Sequence, residues 1–388
     1  MRVLLINEYV ESRGAEQILH EQMHILKQNG HDVKCICFSY SPHHTTGHVD
    51  SNYEILNIPK YGKFLFLPLV YLKIRRILQD NNPDIVLLHN IFSSPRTVYK
   101  ALAGYSVFQV VHDYKVVCPT GYCALLNSDC SICKGFKDNK CCSKCTSSFV
   151  DWVKMILRLQ LVKINEKLRK KYVKKIFAPS SRLCQILQNY GYNCWLLNNP
   201  IRVTNKLHLK TKFGNARKVL YVGGIIFEKG ILPFSEKIMS QTSCILDVYG
   251  GIDKNEYSEK YLSLIKSSNK RINYYGKIGH TVLMEKIVDY DFVIVPSLWV
   301  DNYPTIILEA MAHGVVVVAS NRGGAVDLLS ENRGFLFDWD DELSINKCLD
   351  KIESIEVEEY NSIIKNAYVY VLQNNSYETY YRKLTELL

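Results

Sequence analysis

Residues 292–320 read FVIVPSLWVDNYPTIILEAMAHGVVVVAS. Phe292 to Val295 and Val315 to Ala319 are short, largely β-branched runs, as expected of strands buried on both faces. Between them, Pro304 suits the first turn of a helix, and Glu309 falls inside that helix. A strand, a helix and a second strand in this order form the repeating unit of a parallel α/β sheet.

The alternation continues outward from this unit. Lys218 to Val222 and Ile245 to Tyr249 read as strands, the first followed by Gly223-Gly224 and a turn at Glu228-Lys229-Gly230, the second closed by Gly250-Gly251. An earlier series precedes Asn199-Pro200. Val3 to Ile6 is its first strand, a polar loop carries Ser12, Arg13 and Gly14, and a helix from Ala15 to Asn29 is stopped by Gly30. Val33 to Phe38, Ile85 to Leu88 and Val107 to Val111 follow as strands, the last two ending at His89-Asn90 and His112-Asp113. Open α/β sheets place ligands just past the carboxyl ends of such strands. A chain of 388 residues is too long for one ordinary core. The expected fold is therefore α/β, with two doubly wound Rossmann-like domains facing a central cleft, a favoured place for ligands. The domains are expected at 1–200 and 201–376, with a helix at 377–388 packing back on the first.

Composition narrows the class. With 47% hydrophobic and 22% charged residues, the chain has the balance of a globular protein. No apolar run approaches the roughly 20 residues of a membrane span; Phe64 to Leu72 is short and holds Pro68. Met1 to Asn7 reads as a buried strand followed at once by Glu8 and Glu11, where a signal peptide needs a basic start and a longer apolar stretch, so a cytoplasmic location is expected. A net charge of +10 calls for an anionic partner, although charge by itself mainly reports solubility. Of thirteen cysteines, seven lie between Cys118 and Cys145; the other six are scattered in apolar segments, as small buried hydrophobes are.

Asp301 and Glu309 carry the first chemical signal. The first turn of the helix near Pro304 offers unpaired backbone N–H groups and a positive dipole end, which suit a phosphate. A carboxylate one turn further on can accept hydrogen bonds from sugar hydroxyls. Taken alone, the pattern is equally that of a solvated helix start with one interior glutamate.

Asp301 through Glu309, followed by Glu309-Ala310-Met311-Ala312 and Gly314, then Ala319-Ser320, Gly323-Gly324 and Gly334-Phe335-Leu336, resembles the signature of family 4 of the retaining GT-B glycosyltransferases. The resemblance implies sugar transfer from a nucleotide diphosphate-sugar, UDP by default, without a catalytic metal. It implies that Asp301 contacts the donor sugar, that backbone amides from Tyr303 through Pro304 to Thr305 contact sugar or phosphate beside Asn302 in the donor site, and that Glu309 binds the ribose. The family usually has Glu where Asp301 stands. Tyr221-Val222-Gly223-Gly224 and Phe227-Glu228-Lys229-Gly230 resemble its diphosphate element, with Lys229 in the lysine position and Gly224 where an arginine is usual. Gly14-Ala15-Glu16 resembles its glycine-rich loop. His112-Asp113 with Val116-Val117-Cys118-Pro119 resembles a subset carrying paired cysteines, which places His112 at the donor sugar or reaction centre. Asn199 resembles an asparagine at the start of the linker, on the acceptor side.

Cys130-x2-Cys133 and Cys142-x2-Cys145 have a spacing that suits one structural zinc, and free thiols are the alternative. Residues 149–177 combine Trp152, Met155, Ile156 and Leu159 with Lys154, Arg158, Lys163, Lys167, Arg169, Lys170, Lys171, Lys174 and Lys175. This basic amphipathic segment fits either an anionic membrane surface at the inner face or a core helix with a solvated side. On the membrane reading the acceptor is a polyprenyl-diphosphate-linked sugar, and otherwise a glycan. An epimerase or phosphorylase on the same architecture, or a zinc-stapled nucleic-acid-binding protein, are the competing classes. The last leaves the Asp301 to Glu309 element unexplained, and no nucleic-acid partner is expected.

Overall fold

The computed structural model describes residues 1–10, 14–39, 52–56, 66–92, 94–119, 148–203 and 207–388. The four cysteines expected to bind zinc, Cys130, Cys133, Cys142 and Cys145, lie outside the described residues, as do Ser12 and Arg13. The chain divides into two compact units, Met1–Pro200 with Tyr380–Leu388, and Ile201–Thr379.

Among the described residues of the first unit, seven parallel strands run in the order β3-β2-β1-β4-β5-β6-β7: β1 Arg2–Tyr9, β2 Asp32–Ser39, β3 Tyr53–Ile55, β4 Ile85–Leu88, β5 Val107–Val110, β6 Lys175–Ala178 and β7 Cys194–Leu196. The central strands β4 and β5 are buried along their whole length, which is why they read as unbroken apolar runs. The helix Gly14–Gln28 ends where Gly30, at φ 76°, lets two amides fold back, Gly30 N–H to Lys27 O at 3.0 Å and His31 N–H to Leu26 O at 3.1 Å.

The second unit holds β8 Lys218–Val222, β9 Ile245–Tyr249, β10 Ile272–Gly276, β11 Phe292–Val295, β12 Val316–Ser320 and β13 Phe335–Phe337, in the order β10-β9-β8-β11-β12-β13, all parallel. Alternation along each strand divides the side chains between two layers. Val219, Tyr221, Phe292, Ile294, Val316 and Val318 enter one core; Leu220, Val293, Val295, Val317 and Ala319 enter the other. Both sheets are thus doubly wound, as expected. Each reverses its strand order beside its first strand, at β1/β4 and at β8/β11, and such switch points open crevices at the carboxyl ends.

One expected element is corrected. The basic helix runs only from Phe149 to Tyr172; at Val173 the backbone becomes extended, and Lys175–Ala178 joins the sheet between β5 and β7. The short run Ile176-Phe177-Ala178 needs the sheet interior, and a continued helix would have left the gap between β5 and β7 unfilled. The helix buries Met155, Leu159 and Arg169, while Phe149, Val150, Val153 and Leu157 stay exposed. The helix Tyr377–Leu387 buries Tyr380 and Leu384, one turn apart, and its residues from Tyr380 onward belong to the first unit.

Candidate functional site

The β8/β11 switch point is built from two loops bolted together through their backbones. Past β8, Gly223 lies so close to Gly250 that any side chain on Gly250 would overlap the Gly223 carbonyl. A 3₁₀ turn at Phe227–Lys229 then ends at Gly230, at φ 66°, packed on the Pro296 carbonyl with no room for a Cβ. Leu298 N–H, in the loop past β11, donates to the Glu228 carbonyl at 2.9 Å. The outcome is placement: the Lys229 ammonium lies 2.6 Å from Asp301 Oδ2 and 4.9 Å from the centre of the Trp299 ring. Their side chains are 26% and 21% exposed, so this pair is neither buried nor freely solvated.

Asp301 is held from its other side by Gly323-Gly324. Gly324 N–H donates to the Asp301 carbonyl at 2.8 Å, and the backbones of both glycines pack against Asp301 and Asn302 without space for a methyl group. Asn302 and Tyr303 are buried, and Asn375 Nδ2 donates to the Tyr303 hydroxyl at 3.2 Å, tying the loop to the helix Val357–Asn375. Burial raises the Tyr303 pKa well above the usual phenol value, so it stays neutral. Arg322 donates to the Leu298 carbonyl and lies 3.3 Å from Asp340, and so braces the same loop.

The helix Thr305–Ala312 begins here, with Pro304 as its cap residue. One expected donor is corrected: proline has no N–H, so Pro304 cannot offer an amide to a ligand. Of the first-turn amides at this end, Ile307 N–H already donates to the Pro304 carbonyl at 3.2 Å, which leaves those of Thr305 and Ile306 without a carbonyl partner inside the helix. Glu309, in the second turn, is 4% exposed, and its Oε1 lies 2.9 Å from His280 Nε2. His280 is half-exposed and opens the helix His280–Lys286. Sequence reading passed over His280; its position four residues past β10, another carboxyl end of the same sheet, is the signal that could have marked it.

In the first unit, Gly14 opens the helix Gly14–Gln28 beside β1, and Glu16 is buried with Asn7 Nδ2 at 3.4 Å. His112 and Asp113 part company. Asp113 caps the turn Tyr114–Val116 through the Lys115 amide at 2.8 Å and pairs with the Lys115 ammonium at 3.3 Å, a local structural role. His112 turns instead to His89, Nε2 to Nδ1 at 2.8 Å, with the rings stacked. Burial pushes the His112 pKa down to about 4, and burial with the neighbouring imidazole takes that of His89 well below its usual value, so both are neutral near pH 7. Asn199 is buried just before the boundary between the units. The structure therefore brings together Lys229, the Glu228 backbone and Asp301 in the second unit. Gly14, His112 and Asn199 belong to the first. Among the described residues, no cluster of three or more His, Cys, Asp or Glu is placed to hold a metal ion.

Comparison with known proteins gives the same architecture over the whole chain. Residues 12–204 match the model of Glycosyltransferase Family 4, and residues 205–370 match that of Glycosyl transferases group 1. An uncharacterized glycosyltransferase of Methanocaldococcus jannaschii is 23% identical over 176 residues, 44% of this chain and 44% of its own length. An uncharacterized protein of the cps region of Klebsiella pneumoniae is 24% identical over 65% of this chain and 61% of its own length. The matched stretches thus span less than two thirds of either relative. Sucrose-phosphate synthase from Thermosynechococcus elongatus superposes over 100% of this chain and 98% of its own, with a TM-score of 0.72 at 16% identity. Anabaena HepE in complex with UDP and glucose gives a TM-score of 0.72 at 15% identity, over 100% and 99% of the two chains. The lipopolysaccharide outer core galactosyltransferase WaaB gives 0.66 at 15%, over 100% of each.

Proposed function

The chain is of the GT-B glycosyltransferase type, similar to family 4, and from that premise we propose that it transfers a sugar, with retention, from a nucleotide diphosphate-sugar bound by the second unit. The observation that carries this is the Lys229 ammonium held 2.6 Å from the Asp301 carboxylate at a strand-order switch point, next to the start of the helix Thr305–Ala312. A diphosphate is met by a cation and a helix N-terminus, and a sugar hydroxyl by a carboxylate. Lys229 and the first-turn amides take the diphosphate, Asp301 takes a hydroxyl of the donor sugar, and Glu309 takes the ribose hydroxyls. In the reaction the bond from the anomeric carbon to the diphosphate oxygen breaks, and its electron pair leaves with the diphosphate. The acceptor oxygen bonds to the same carbon from the same face, and its proton passes to the departing phosphate oxygen. His112 serves the donor sugar or the reaction centre. UDP is the first nucleotide to test, because HepE has been solved with UDP and with UDP-glucose.

Glu309→Ala tests the donor reading. Losing hydrogen bonds to a charged acceptor should weaken donor binding about 10- to 100-fold. The thermal stabilisation that a UDP-sugar gives the wild type should then vanish at the same ligand concentration. Because Glu309 is 4% exposed, its removal should also lower the melting temperature of the unliganded variant, so the ligand shift is read against the variant's own unliganded melting curve. An undiminished ligand shift in the variant would remove Glu309 from the nucleotide site.

The acceptor we propose is a lipid-linked glycan at an anionic membrane. Its support is the helix Phe149–Tyr172, where exposed Phe149, Val150, Val153 and Leu157 lie among exposed basic side chains such as Lys154. The protein should co-sediment with vesicles rich in anionic phospholipid, less so in high salt, and much less after Phe149→Ser with Leu157→Ser. Equal recovery of wild type and variant in the pellet would refute it.

A further inference from the structure

Three buried side chains and the half-buried His112, from separate parts of the first unit, form one hydrogen-bonded line. His112, past β5, meets His89, past β4, with 2.8 Å between Nε2 and Nδ1. His89 Nε2 lies 2.7 Å from Gln22 Oε1, on the helix Gly14–Gln28, and Gln22 Nε2 donates to the Tyr380 hydroxyl at 2.6 Å. Gln22, His89 and Tyr380 are 0%, 1% and 2% exposed, so water cannot substitute for a lost partner in this line. Tyr380 belongs to the helix Tyr377–Leu387, 358 residues beyond Gln22.

Each of these groups both donates and accepts, and a neutral imidazole does one at each nitrogen. The line therefore has two self-consistent polarities. In the one seen here, Gln22 spends its N–H on Tyr380 and turns its carbonyl to His89. His89 must then carry its proton on Nε2 and present a bare Nδ1, so the His112 proton sits on Nε2 and the His112 Nδ1 is the lone-pair nitrogen. In the reverse polarity, Gln22 turned over would donate to His89, and the His112 proton would move to Nδ1. Burial of both imidazoles keeps the pair neutral, so a shared extra proton does not blur the choice.

We infer that Gln22 is a positioning residue whose amide, tethered to Tyr380 of the C-terminal helix, fixes the tautomer of His112 by way of His89 according to which end faces His89. That this matters for catalysis rests on the reaction-centre role proposed above for His112; the tautomer itself does not. An imidazole with the wrong nitrogen protonated presents a donor where an acceptor is required. In a hydrolase triad that error costs about 10⁴-fold in kcat. Here the loss of control is partial, and the expected fall is about 10- to 100-fold in kcat with the donor KM unchanged.

The experiment uses the full chain labelled with ¹⁵N-histidine, and His112 is assigned by the signals missing in His112→Ala. Wild type should show one protonated and one bare ring nitrogen on His112. In Tyr380→Phe, and in Gln22→Met, the two nitrogens should move toward a common averaged shift. Tyr381→Phe is the control: it removes the 2.9 Å hydrogen bond between His31 and the next residue of the same helix, outside the line, and should leave the His112 spectrum and the rate unchanged. An unaltered His112 tautomer in folded Tyr380→Phe and Gln22→Met would overturn the inference. A shifted tautomer with an unimpaired rate in His112→Ala would uphold the relay and sink instead the catalytic role given to His112.

Discussion

Lys229→Ala is expected to lower kcat by about 10²- to 10³-fold, the loss usual when one donor to a developing anion is removed. Charge gathers on the diphosphate as the bond to the anomeric carbon breaks, so the lysine is worth more in the transition state than in the ground state. Donor KM should therefore change much less than kcat. The demand on Lys229 is raised by Gly224, which stands where the resembling family usually has an arginine. Arg322 is a poor stand-in, since its guanidinium is already engaged by the Leu298 carbonyl and Asp340. Stability offers the contrasting readout. Lys229 and Asp301 are both partly exposed, so breaking their ion pair should cost no more than about 1 kcal/mol. Lys229→Arg should recover only part of the rate, because a planar fork does not replace a compact ammonium. Steady-state kinetics against UDP-sugars, with melting curves of the same preparations, make the comparison. A variant that melts normally and keeps its wild-type kcat would place the diphosphate elsewhere.

Much of the fold was legible because the middle strands of a doubly wound sheet are continuous apolar runs. Ile85–Leu88 and Phe292–Val295 coincide with the stretches read as strands. The strands that sequence reading missed are short or lie at edges. Tyr53–Ile55, Cys194–Leu196 and Phe335–Phe337 are three residues each, and Ile272–Gly276 is a half-exposed edge strand bearing Asn273 and Tyr275. Such segments form because a neighbour offers a free ladder of hydrogen bonds, and no periodicity of their own announces it. Lys174 and Lys175 were absorbed into a basic helix for the same reason.

The candidate site divides along similar lines. Asp301 and Glu309 were visible as a motif, and Lys229 as part of a turn. That Lys229 meets Asp301 across 72 positions was not visible, because it depends on β11 lying next to β8. The partners missed altogether, His280 for Glu309 and the Gln22–Tyr380 pair, are ordinary surface-type residues in the sequence. They acquire meaning only from the element packed opposite. Pro304 shows the converse: the motif suggested an amide at each of its positions, and backbone chemistry withholds one.

Gly323→Ala should be among the most damaging single methyl groups in the second unit. Gly323 sits at φ 61° and ψ −140°, a conformation open essentially to glycine, and its absent Cβ would overlap the Asp301 carbonyl. The backbone strain is worth about 1–3 kcal/mol, and forcing a methyl into packed backbone adds about 1–3 kcal/mol more. For a unit of this size the melting temperature should fall by roughly 10 °C. Gly30→Ala separates the two contributions. Gly30 also has a positive φ, of 76°, but nothing stands within 4 Å of the Cβ it would gain. It should lose only about 1–2 kcal/mol. The two variants should differ in function as well. At Gly323 the obstructing atom belongs to the residue proposed to hold the donor sugar, so relief of the clash must shift Asp301 away from Lys229. A displacement near 1 Å is enough to cost about 100-fold in rate, and kcat of Gly323→Ala should fall even at temperatures where the protein remains folded. Gly30→Ala should keep its kcat. Equal melting temperatures and equal rates for the two would mean that the Gly323–Asp301 contact is slack, and that Asp301 is held by something other than the turn beneath it.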